Sequence, residues 1–128
     1  MDSFLLSRLY IVLALINAKN EIFHEDFATM SELNRFTLFM QSEFNSRNLG
    51  VAITHELDRE VLDISMDGTF IKISNRCRSG LEMLSSNVLD VLTDKSLLAE
   101  FFTKLENDRL KEIEEFSETD IRTYKMNK

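Results

Sequence analysis

The sequence predicts an α+β domain, and three observations predict it. A β-branched stretch from 50 to 74 alternates apolar and polar residues with a period of two, whereas the flanking stretches repeat their apolar residues every three or four positions. Proline is absent and glycine occurs only three times in 128 residues, which favours long uninterrupted helices joined by short loops. The expected order is two or three N-terminal helices, a three-stranded antiparallel meander over about 50–74, and two C-terminal helices. The length suits a single domain over 1–128, with a tail from about 118 that frays or docks.

The first element is the apolar run Phe4 to Ile16, read as a buried helix. It is too short to cross a bilayer, is preceded by Met-Asp instead of basic residues and contains Arg8, so neither an anchor nor a signal peptide is expected. Leu5, Leu9, Val12, Leu13 and Ile16 form one stripe, and Leu6, Tyr10 and Leu15 widen it towards burial on all sides. Asn17 to Glu21 reads as a polar break. The apolar pattern resumes with Phe23, Phe27 and Met30, then Leu33, Phe36, Met40 and Phe44, as one helix or as two with Ser31 capping the second. Two helices there, followed by a hairpin, give the element order of a winged helix, which is the alternative architecture. That likeness is one of order alone.

Within the meander, Val51 and Ile53 share a face with His55 and Leu57, Leu62 shares one with Ile64 and Met66, and Ile71 shares one with Thr69 and Ile73 while Phe70, Lys72 and Ser74 point the other way. Asp67-Gly68 predicts a type I′ hairpin turn. Further on, Leu81, Leu84, Val88, Val91 and Leu92 make a helical stripe closed near Thr93-Asp94, and Asp94 or Ser96 caps the last helix. There Leu98, Phe101, Phe102, Leu105, Ile113 and Phe116 oppose Glu100, Lys104, Asp108, Lys111 and Glu115, which alternate in sign along an amphipathic helix.

Motifs for chemistry are sparse. No glycine-rich phosphate loop is present, and Asp58, Asp63 and Asp67 lack the alternate-residue spacing of a calcium loop. Glu21, His24 and Glu25 would share a helix face, but with His55 they fall short of a zinc motif, so no metal or cofactor is expected. His55 is expected to be partly buried and hydrogen-bonded. Cys77 lies between Arg76 and Arg78, which favours thiolate, yet with no base nearby in sequence it reads as a small hydrophobe at a junction. No catalytic residue is assigned, and the chain is not expected to be an enzyme.

Charge is the most informative functional datum. The formal net charge is −7, made up of −2 over 1–50, −1 over 51–80 and −4 over 81–128. Such a balance opposes phosphate backbones and favours a small acidic cytoplasmic module that binds another protein carrying a basic surface, as an adaptor, chaperone or inhibitor does. The expected protein-binding residues are Glu112, Ile113, Glu115, Phe116 and Glu118. A homodimer is also expected, through Leu5, Leu9 and Leu13 or through Phe101, Phe102 and Leu105. Under the winged-helix alternative the chain is a transcriptional regulator with an acidic dimerisation helix, and Arg35, Arg47, Arg59 and Lys72 contact DNA.

Overall fold

Ser7 decides where the first helix begins. Its extended backbone and its hydroxyl, which accepts the Leu9 N–H at 3.3 Å, make it the N-cap of α1 (Arg8–Phe23). A computed structural model describes residues 4–57, 62–73, 81 and 84–126, with side chains described through residue 112. The expected helix from Phe4 is therefore corrected at its start, since Phe4–Leu6 forms a strand, β1. Its backbone groups find partners far along the chain, Phe4 N–H on the Gly50 carbonyl at 2.7 Å and the Leu6 carbonyl on Thr54 N–H at 2.9 Å. Long-range pairing overrides local propensity here.

Burial on all sides holds for the middle of α1, where every residue from Ile11 to Ile16 is buried. The expected break at Asn17 to Glu21 is absent. Asn17, Asn20 and Glu21 lie on the exposed side of a helix that continues unbroken to Phe23. The stop is His24, in the left-handed region at φ 58°, after which Glu25 N–H returns to the Lys19 carbonyl at 3.3 Å. Histidine is among the few non-glycine residues that tolerate this conformation.

The segment read as the start of one helix or as a short helix is instead β2 (Phe27–Thr29), and α2 follows as Met30–Ser46. Thr29 caps α2, not Ser31. The Thr29 hydroxyl accepts the Glu32 N–H at 3.1 Å and the Glu32 carboxylate accepts the Thr29 N–H at 2.9 Å, a reciprocal capping box. Leu33, Phe36, Met40 and Phe44 are buried, as their spacing predicts. At the far end Asn48 takes φ 54°, and the Leu49 and Asn48 N–H groups return to the Phe44 and Asn45 carbonyls, both at 3.1 Å, in a Schellman motif. The segment between α1 and α2 is thus a strand, where the expected element order placed a short helix.

All three strands expected over 50–74 form, as β3 (Val51–Ile53), β4 (Leu62–Ile64) and β5 (Phe70–Ile73), but they do not make one meander. β3 pairs in parallel with β1, and the antiparallel three-stranded sheet has the order β2-β5-β4. Its register sets Phe27, Ala28 and Thr29 opposite Lys72, Ile71 and Phe70, and Leu62, Asp63 and Ile64 opposite Ile73, Lys72 and Ile71. The reading by neighbours in sequence failed because a parallel pair needs a long crossover, and the chain between β1 and β3 supplies one.

The second edge of β3 is closed by a side chain. Gln41 on α2 donates from Nε2 to the Val51 carbonyl at 2.7 Å and accepts the Ile53 N–H at Oε1 at 2.9 Å, as a neighbouring strand would. The β4–β5 turn also departs from expectation. Gly68 N–H closes on the Ser65 carbonyl at 2.9 Å and Gly68 alone carries positive φ, 74°, so Asp67-Gly68 is not a type I′ pair. The Asp67 carboxylate is occupied instead by the Ser65 hydroxyl and the Thr69 N–H, at 2.6 and 3.0 Å.

By its contacts the chain divides into two compact units, Met1–Asp94 and Lys95–Lys128. In the first, α1 packs on α2, β2 and β5, and α2 also packs on β2 and β3. A short helix α3 (Ser86–Leu92) buries Val88, Val91 and Leu92, while Leu81 and Leu84, expected in its stripe, precede it. The second unit is one helix, α4 (Lys95–Met126), starting directly after Asp94 and helical through the tail as far as Met126. Its Phe101 and Phe102 rings meet edge-on at 5.3 Å.

Gln41→Leu removes both hydrogen bonds to β3 and leaves a donor and an acceptor without them. A loss of about 1–3 kcal/mol in urea-induced unfolding is expected. Gln41→Glu, which retains only the acceptor, should fall short of wild type as well.

Candidate functional site

Two polar clusters and one apolar surface stand out in the first unit. The first cluster is centred on Lys19, which is only 5% exposed although it belongs to the segment expected to be a polar break. Its Nζ lies 2.9 Å from Glu25 Oε2 and 2.9 Å from both Glu32 carboxylate oxygens. It also stands 5.4 Å from the centroid of the Phe27 ring. The left-handed turn at His24 brings Glu25 back to Lys19, and the capping box at Thr29 orients Glu32. Burial pulls the Lys19 ammonium down, but the Glu32 and Glu25 carboxylates more than reverse this, leaving it above the ordinary lysine value. A lysine held as a cation in this way is poorly suited to act as a nucleophile or base.

The second cluster is centred on Arg8. Its guanidinium donates to Asn34 Oδ1, to the His55 carbonyl at 3.3 Å and to Thr37 Oγ1 at 3.4 Å, and burial lowers it from the ordinary arginine value. These bonds tie the start of α1 to α2 and to the chain leaving β3. Both clusters use their polar groups to join elements, and among the described residues no buried side-chain polar atom lacks a partner.

The apolar surface lies on the three-stranded sheet. Ala28, Leu62 and Ile71 point to the buried side, and the strand alternation puts Phe27 and Phe70 on the other. Their rings meet edge-on with centroids 5.7 Å apart, yet Phe27 is 36% and Phe70 is 45% exposed. Lys72 and Asp63 stand on the same face, and Lys72 Nζ is 3.0 Å from Asp26. Sequence reasoning assigned Phe27 to a helix and so missed the pair. The only signal was the outward position of Phe70 in its strand.

The residues singled out from the sequence are scattered. Among the expected DNA contacts, Lys72 is paired with Asp26, Arg47 contacts Glu43 at 3.0 Å and Asp94 at 3.8 Å, and Arg35 lies midway along α2. Arg59, like Asp58, Arg76, Cys77 and Arg78, lies outside the described residues. Of the expected dimer contacts, Leu5 is 69% exposed on β1, Leu9 and Leu105 are half-buried, and Leu13, Phe101 and Phe102 are buried. Of the acidic set, Glu112 is exposed on α4, and the backbone of Ile113, Glu115, Phe116 and Glu118 continues that helix.

His24 and Glu25 do not share a helix face with Glu21, because the helix ends at Phe23. His55 is exposed and lies beyond β3, which corrects its expected partial burial; its backbone carbonyl is the group that Arg8 uses. Among the described residues no group of three or more His, Cys, Asp or Glu is placed to hold a metal, and no helix is long and apolar enough to cross a membrane. No protein-family model, curated protein or solved structure matches the chain.

Lys19→Met leaves Glu32 largely buried without its cation, and a loss of roughly 3 kcal/mol in chemical unfolding is expected. Because the folded state raises the Lys19 value, its contribution is complete below the unfolded lysine value and disappears as pH rises through the folded one. Wild type should therefore lose stability at alkaline pH more steeply than Lys19→Met, as read by melting temperature against pH.

Proposed function

We propose that the chain is a protein-binding module whose docking surface is the outward face of the β2-β5-β4 sheet. The observation that carries this reading is the exposed Phe27–Phe70 pair. Single exposed apolar residues are ordinary on protein surfaces, but two aromatic rings in contact on a strand-backed face form a rigid anchor. Aromatic anchors of this kind contribute disproportionately to binding between proteins. The scaffold suits the role, since β5 is the central strand of its sheet and the Lys19 cluster fixes β2 against α1 and α2.

The acidic character of the chain extends the proposal to a partner with a basic surface, steered by the net charge of −7. In this reading the charged groups of the first unit serve binding and folding, not catalysis.

A photo-crosslinking phenylalanine analogue at position 70, introduced in the natural host, is expected to give a discrete protein adduct. The same analogue at Leu38, a singly exposed apolar residue on α2, should not. Phe27→Ser combined with Phe70→Ser should reduce capture of that adduct partner by more than about tenfold while leaving the circular dichroism spectrum unchanged. Adducts at 38 with none at 70 would sink the proposal.

A further inference from the structure

We infer that the occupant of this face is a cationic, amphipathic segment of a partner protein, one that presents apolar side chains to Phe27 and Phe70 and Lys or Arg side chains to the carboxylates around them. This inference rests on the docking reading above and adds the chemistry of the partner. Among the described residues, the charged groups on and beside the face are Glu25, Asp26, Glu32, Asp63 and Asp67 against Lys19 and Lys72. Both lysines are already committed. Lys19 is buried between Glu25 and Glu32, and Lys72 is bound by Asp26 at 3.0 Å with Asp63 opposite it in the β4–β5 register.

Among the described residues the uncompensated charge is therefore negative, and much of it is fixed in place. Asp63 is exposed on the sheet face itself. Asp67 is held at the hairpin tip by Ser65 and Thr69, and the Ser65 hydroxyl, followed by the Thr69 N–H, keeps its carboxyl below the ordinary aspartate value. Aromatic rings also attract Arg and Lys through their faces, so the ring pair and the carboxylates favour the same kind of side chain.

Other occupants fit less well. Phosphate backbones and anionic lipid headgroups meet the same carboxylates with the wrong sign. A second copy docked face to face would set one acidic rim against another, with both lysines already paired within each copy. Apolar contact combined with positive charge satisfies the ring pair and its rim together.

The test uses the full chain and three fluorescein-labelled octapeptides of alternating Leu-Arg, Leu-Glu and Ser-Arg, followed by fluorescence anisotropy. The Leu-Arg peptide is expected to bind, and to weaken about tenfold or more between low and moderate salt, with the other two at least tenfold weaker. Phe27→Ser with Phe70→Ser should lower its affinity by about tenfold or more, and Asp26→Asn with Asp63→Asn should lower it severalfold. Amide chemical-shift changes should cluster on β2, β5 and the turn 65–69.

Binding of the Leu-Glu peptide as tight as that of Leu-Arg, Leu-Arg binding that survives the double serine variant, or no Leu-Arg binding at all would each overturn the inference. The docking reading fails separately. An adduct formed at position 70 with an anionic segment or with a second copy leaves that surface standing and removes only the cationic partner, whereas the absence of an adduct at 70 removes the surface itself.

Discussion

The arrangement of the first unit depends on one buried cation. Lys19 projects from the last turns of α1 between two carboxylates, one placed by the helix stop at His24 and the other by the helix start at Thr29. An ammonium this well shielded from water is tolerated only where its partners are supplied at hydrogen-bonding distance, and an unpaired one would be costly. The constraint works in both directions. The chain between α1 and α2 has to turn back so that Glu25 and Glu32 both reach Lys19, and the short path it takes is β2. The position of the sheet's first strand is thus coupled to an electrostatic requirement.

The same turn produces the surface of interest. With Ala28 directed inward against the helices, Phe27 has to point outward, where it meets Phe70 from the central strand. The Lys19 ammonium lies beside the Phe27 ring, so the ring is supported on one side by the fold and left open on another. Rigid support of a partly exposed aromatic group reduces the entropy lost when a partner covers it. Fold and proposed function meet in that residue.

Side-chain substitution for backbone pairing is a second theme. Gln41 closes the edge of β3 with a donor and an acceptor from one amide, and Arg8 gathers a hydroxyl and a side-chain amide oxygen from α2 and a main-chain carbonyl from the chain after β3. Two-stranded sheets are marginal in water without such support. Here the long helix α2 supplies it while also burying Phe36, Met40 and Phe44. A single helix therefore serves the core and the small parallel sheet together.

The sequence by itself determined the α+β class, the apolar face of α2, the all-round burial of the middle of α1, the location of the three strands between 51 and 73 and the outward position of Phe70 and Lys72. Each is a matter of period and composition, which act over a few residues and can be read locally. Only the tertiary structure decided which strands pair, because β1 and β3 lie more than forty residues apart and their partnership depends on the crossover between them. It also decided that Phe27–Thr29 is a strand, that Lys19 is buried and that Phe27 joins Phe70. A three-residue strand has too few residues to show a period, and a lysine in a polar run looks solvated until two distant carboxylates are brought to it. The candidate site lay in that part, since it is made by register across a sheet whose first strand the sequence pattern concealed.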